Sequence, residues 1–103
     1  MGVRENKVEK YLDDRFTEMG GVTRKWVSPG VDGVPDRLCA HRDHPPVAVE
    51  VKTVDGVLEE HQDREQIRLR ANGFQAVTVY GYLGVDRFIK DYFKGKLLSV
   101  EYR

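Results

Sequence analysis

Residues 33–53 read GVPDRLCAHRDHPPVAVEVKT, and the fold turns on how that stretch is divided. DRLCAH (36–41) and PVAVEVKT (46–53) read as two strands, with RDHPP supplying the turn between them. In the second strand Val47, Val49 and Val51 face one way, and Ala48, Glu50 and Lys52 face the other. Glu50 and Lys52 therefore leave one face about 6–7 Å apart. Asp36 opens the first strand directly after Pro35. It comes beside Glu50 only if its own strand runs on or bends, because the pairing register is open at this level.

Convergence of Asp36 and Glu50 would have a chemical consequence. Two carboxylates about 4 Å apart, at an effective dielectric near 20, repel by about 4 kcal/mol. Either one takes up a proton or a cation sits between them. Oxygen ligands suit a hard ion such as Mg²⁺ or Mn²⁺, and the Val51 carbonyl offers a third protein oxygen. Such an ion polarises a phosphate and lowers the pKa of a water it holds. Lys52 would orient or activate that water, or stabilise charge growing on the phosphate. An isolated E-x-K is usually a solvated strand face. The P-D ahead of it, the apolar strand carrying it and the flanking helices weaken that bland explanation.

Working outward, RENKVEKYLDDRFTEM (4–19) reads as a helix with Val8, Leu12, Phe16 and Met19 on one side, ended by Gly20-Gly21. VTRKWV (22–27) reads as a strand and SPGVDGVP (28–35) as a loop. LEEHQDREQIRLRA (58–71) reads as a helix ended by Asn72-Gly73, with a weak stripe of Leu58, Leu69 and Ile67. FQAVTVYGYL (74–83) is a strand, and VDRFIKDYF (85–93) a helix packing through Val85, Phe88, Ile89 and Tyr92. LLSVEYR (97–103) is a last strand or an arm onto a partner chain. The order is α-β-β-β-α-β-α. A strand, a helix and a return strand form a crossover, so part of the sheet is parallel, with helices on its faces.

Composition narrows the class. The 103 residues make one domain, 1–103. They are 40% hydrophobic and 33% charged, which is globular rather than disordered. There is no apolar run of the roughly 20 residues that cross a bilayer, and MGVRENKVEK lacks an apolar signal core. The single cysteine, Cys39, fits a reducing cytoplasm. Seventeen basic residues balance seventeen acidic ones. That counts mildly against nucleic acid, although acidic residues at a metal site lower the sum without weakening a basic rim.

The chain resembles the VRR-NUC domain of the PD-(D/E)xK nuclease superfamily, and most of all its small stand-alone, phage-type members. The resemblance covers about residues 5–90. Its carriers are Gly33-Val34-Pro35-Asp36-Arg37-Leu38, Glu50-Val51-Lys52, and Leu58 and Gln62 on the next helix. Gly20-Gly21 and Ser28-Pro29-Gly30 also fit. It implies a restriction-endonuclease-like fold and a metal-dependent, structure-selective endodeoxyribonuclease. Asp36 and Glu50 would bind Mg²⁺ or Mn²⁺, Lys52 would serve the attacking water, and Gln62 would support the site. An acidic residue of the first helix, Glu5 or Glu9, would complete it. Stand-alone relatives resemble Holliday-junction resolvases and act as dimers. The expected substrate is therefore branched DNA such as a four-way junction, met by a homodimer in a bacterial or phage-infected cell. The alternatives are a nuclease on flaps, nicked or single-stranded DNA, and a DNA-binding module without catalysis. One departure is the acidic setting of Gln62, EEHQDREQ, where relatives often carry Ser-Pro.

Other residues have plainer readings. Arg24, Lys25 and Arg37 are candidates for phosphate contact. Cys39, His41 and His44 form an incomplete tetrahedral set for zinc. Trp26 is expected in the core or on a dimer surface, with base stacking a lesser option.

Overall fold

A computed structural model describes residues 4–103. Its elements are α1 (Glu5–Glu18), β1 (Val22–Lys25), β2 (Arg37–His41), β3 (His44–Lys52), α2 (Glu60–Ala71), β4 (Gln75–Tyr80), α3 (Gly81–Phe93) and β5 (Glu101–Tyr102). The expected order holds, with β5 appended. The sheet is mixed and runs β1-β2-β3-β4-β5. β1, β2 and β3 pair antiparallel, while β3–β4 and β4–β5 are parallel. Among the described residues no helix is long and apolar enough to cross a membrane.

The period-two pattern of β3 sorts the two faces. Val47, Val49 and Val51, with Val77 and Val79 of β4, join Val8, Leu12 and Phe16 of α1 and Val85, Phe88, Ile89 and Tyr92 of α3 in one core. The stripes expected on α1 and α3 are thus the packed ones, except for Met19. It falls just past the end of α1 and is 46% exposed.

The hairpin differs from expectation in an instructive way. Its turn is only Arg42-Asp43, and β3 already begins at His44. His41 pairs with His44, but Cys39 pairs with Val47, so β3 carries one extra residue in its Pro45-Pro46 stretch. Proline lacks a ladder N–H, and a bulge is where that loss is tolerated. The bulge shifts the register to Arg37 opposite Val49. One residue on, Asp36 falls opposite Glu50. An unbroken register from the same turn would have faced Asp36 to Val49 and turned it toward the core.

Two other boundaries moved. α3 starts at Gly81 rather than Val85, because Gly81 (φ +67°) turns the chain from strand to helix without a linker, and a Cβ there would meet Val54 at 2.6 Å. The C-terminal segment is a strand of its own sheet, not an arm onto a partner. Tyr102 is buried, and its hydroxyl donates to Asp91 at 2.9 Å and accepts the Ser99 N–H at 3.0 Å.

α2 lies against the opposite, polar face. The stripe expected from Leu58, Leu69 and Ile67 is not what it buries, and Ile67 is 53% exposed. Gln62, Gln66 and Arg70, spaced by four, face the sheet instead. Gln66 is buried and donates to Thr78 at 2.8 Å, and Arg70 donates to the Ala76 carbonyl at 2.9 Å. The helix docks by hydrogen bonds, which an apolar periodicity does not reveal.

Candidate active site

Three elements bring acids together at one end of the β2–β3 pair. One oxygen from each of Glu5, Asp36 and Glu50 lies within 4.8 Å of the others. Glu5 comes from the first turn of α1, Asp36 from the residue before β2, and Glu50 from the middle of the sheet. Glu5 is exposed, Asp36 half-buried and Glu50 buried. Of the two first-helix candidates, Glu5 and not Glu9 lies in this cluster. Glu9, one turn on, is taken by Arg37 at 2.8 Å and Lys25 at 3.4 Å.

Each member of the cluster is held by its neighbours. Asp36 accepts the Val51 N–H at 2.8 Å, which ties the start of β2 to the far end of β3. Its own carbonyl accepts the Trp26 N–H at 3.0 Å, extending the β1 ladder by one bond. The loop before it packs on α2 at Gly33 (φ +86°), where a Cβ would come within 2.8 Å of the His61 carbonyl. The Val51 side chain is buried in the core.

Glu50 is the electrostatic centre. Burial, and next the Asp36 carboxylate, push it up to about 8, while the Lys52 ammonium pulls the other way. Lys52 Nζ is 3.8 Å from Glu50 Oε2, with both side chains nearly inaccessible. The second oxygen, Oε1, is buried without a hydrogen-bond partner. Gln62 approaches from α2. Its Nε2 donates to Glu50 Oε2 at 3.3 Å, and its Oε1 accepts the Glu59 N–H at 2.9 Å, which fixes the amide's orientation.

This donor set suits a hard divalent cation. Each pair of the three carboxylates, if ionised at 4.8 Å, would repel by about 3 kcal/mol at an effective dielectric near 20. A buried, unpartnered carboxylate oxygen beside them is the kind of group an ion satisfies. The donors are all oxygens, the ligand type that hard divalent cations favour. The other candidate metal set does not assemble. Cys39 is buried and its thiol is pushed up by that burial, while the His41 and His44 rings pack on each other at 5.3 Å and edge-on to Phe93.

The cations picked for phosphate contact separate into two kinds. Arg24 is exposed and donates only to the Thr23 carbonyl, at 2.8 Å. Lys25 is exposed beside Glu9. Arg37 is committed inside the fold, to Glu9 and to Asp13 at 2.7 Å. Trp26 is half-buried and stacks on Phe74 with ring centres 6.0 Å apart. Asp13, Gln66 and Arg70 were not singled out from the sequence. The only signal for Asp13 is its spacing, since Glu5, Glu9 and Asp13 recur every four residues.

Comparison with known proteins bears on the chain as a whole. No family model matches the chain. It is 39% identical over 77 residues to "Putative nuclease p44" of Acyrthosiphon pisum secondary endosymbiont phage 1, a match covering 75% of this chain and 83% of that one. A solved structure described as "VRR_NUC domain" superposes with a TM-score of 0.77 at 32% identity, covering 85% of this chain and 96% of its own.

Proposed function

The chain belongs to the VRR-NUC family of nucleases, and from that premise we propose that it is a divalent-metal-dependent, structure-selective DNA endonuclease. Its substrate is branched DNA such as a four-way junction, and it works as a homodimer. The observation that carries the reading is the convergence of Glu5, Asp36 and Glu50 next to a buried lysine.

Glu5, Asp36 and Glu50 would hold Mg²⁺ or Mn²⁺, with the Val51 carbonyl as a further oxygen. When bound, the ion polarises the scissile phosphate and lowers the pKa of water. The protein's own groups do the rest. Lys52, buried 3.8 Å from Glu50, would orient the attacking water and meet negative charge developing on the phosphorus oxygens. Its stem is confined by the 53–56 turn, where a Cβ on Gly56 would lie 3.0 Å from the Lys52 Cβ. Gln62 holds one Glu50 oxygen, which leaves the other free for the ion. Arg24 and Lys25, both exposed on β1, would meet the DNA backbone.

The branched substrate and the dimer rest on the resemblance to stand-alone resolvases. One small domain offers one cluster of acids, and a two-fold dimer presents two such clusters to two strands. The test is cleavage of a labelled four-way junction beside matched duplex, flap and single-stranded DNA, in Mg²⁺, Mn²⁺ or EDTA, with wild type and Asp36→Ala. Paired symmetric cuts that need metal and vanish in the variant are expected. Cuts confined to other structures would discard the junction and keep the nuclease. No cleavage with either metal would leave a DNA-binding module.

A further inference from the structure

We propose that Arg37 is a positioning residue for the metal site, acting as a two-pronged clamp that keeps Glu5 within reach of Asp36 and Glu50. The proposal rests on the reading of those three carboxylates as metal ligands.

The geometry starts on α1. Glu5, Glu9 and Asp13 stand on one helix face at intervals of four. Only Glu5 reaches the carboxylate cluster. The next two pair with one guanidinium, with Arg37 Nε 2.8 Å from Glu9 and Nη2 2.7 Å from Asp13. The Glu9 contact is an ion pair rather than an aligned hydrogen bond, since Arg37 Nε is buried without a hydrogen-bond partner. All three of these side chains are largely buried, at 20%, 16% and 24% exposure. A guanidinium spreads its charge over three nitrogens and can pair with two carboxylates at once, which a compact ammonium does less well. Two contacts from β1 reinforce the grip. Thr23 donates to Asp13 at 2.9 Å, and Lys25 lies 3.4 Å from Glu9.

Arg37 follows Asp36 directly. Successive residues of a strand point to opposite sides, so Asp36 faces the cluster while Arg37 faces α1. One stretch of main chain therefore carries a candidate ligand and the clamp that delivers another. Glu5 needs such help. It is exposed, it lies in the first helical turn, and Arg4 makes no side-chain hydrogen bond to cap the helix there. Helix ends without a cap fray. The clamp holds the next two turns in place.

The sign of the effect separates this role from a plain charge effect. Arg37 is a cation near a cation site, so its removal should tighten metal binding by Coulomb's law. Loss of a clamp should weaken it. The experiment is calorimetric titration of Mn²⁺, without DNA, into wild type, Arg37→Gln, Glu5→Gln and the double variant. Arg37→Gln is expected to weaken Mn²⁺ binding about tenfold, the lower range for loss of a residue that orients a ligand. In the Glu5→Gln background it should change affinity little, because the ligand it delivers is gone. Wild-type affinity or better in Arg37→Gln overturns the clamp alone. An equal loss in both backgrounds also overturns it. Absence of Mn²⁺ binding by wild type overturns the metal reading and the clamp with it. If Arg37→Gln does not fold, Asp13→Asn removes one prong. It should weaken binding about threefold, again only when Glu5 is present, and unchanged affinity there overturns the clamp.

Discussion

Gln62 and Glu50 are joined at 3.3 Å, while the other end of the Gln62 amide accepts a main-chain N–H of its own helix. The start of α2 and the centre of the sheet are thus linked through a single planar group. Replacing Gln62 by Ala removes both bonds. On the proposed reading of Glu50 as a metal ligand, cleavage should fall about tenfold to a hundredfold, the range for a residue that orients such a ligand. Stability should fall by about 1 kcal/mol from the lost helix-start bond. Single-turnover rates and denaturant melts check the two effects separately. A variant that loses stability but keeps its rate would restrict Gln62 to capping.

Lys52→Ala should abolish measurable cleavage, with a loss of at least about a hundredfold, while junction binding in Ca²⁺ stays within about threefold of wild type. A single charge among many phosphate contacts changes affinity little. Single-turnover assays and gel-shift titrations give the two quantities. Normal turnover in Lys52→Ala would remove Lys52 from the chemistry.

The raised Glu50 makes metal-free stability depend on pH in a definite direction. In the folded chain burial and the Asp36 carboxylate push it up from 4.5 to about 8. Between those values the folded state keeps a proton that the unfolded state has released. Stability in EDTA therefore falls as pH rises from about 4.5 to about 8, then levels. Glu50→Gln cannot titrate and should flatten that slope, most visibly between pH 6 and pH 8. Melting temperatures across this range measure it, and an equally steep slope in Glu50→Gln would show that another group is responsible. Mn²⁺ binding near pH 7 should also release a proton, which calorimetry in buffers of different ionisation enthalpy detects.

The parts of the fold legible in the sequence are those driven by apolar burial. Val8, Leu12 and Phe16, and Val85, Phe88, Ile89 and Tyr92, were legible from spacing because each stripe meets the same valine face. The alternation of β3 showed that Glu50 and Lys52 share a side. What stayed hidden was set by polar contacts or by backbone. α2 docks through Gln62, Gln66 and Arg70, so its weak apolar stripe was misleading. Pro45 and Pro46 looked like turn residues and sit in a bulge. Gly81 looked like part of a strand and opens a helix. At the candidate site, Asp36, Glu50 and Lys52 were legible as residue types. That Glu5 rather than Glu9 lies in the cluster was not legible, because Glu9 and Asp13 are paired with Arg37, a contact the spacing alone does not show.

The topology also sets when the site can exist during synthesis. Glu5, Asp36 and Glu50 all lie within the first fifty residues. Yet Glu50 borders Thr78 of the parallel strand β4, and the valine face beneath it closes only with Val77, Val79 and α3. A chain emerging from the ribosome would carry its acids long before it had the wall that buries one of them. Parallel pairing across a helix is non-local and slow to form. The wall that buries Glu50 therefore comes last, so a nascent or truncated chain ending before β4 should cut no DNA.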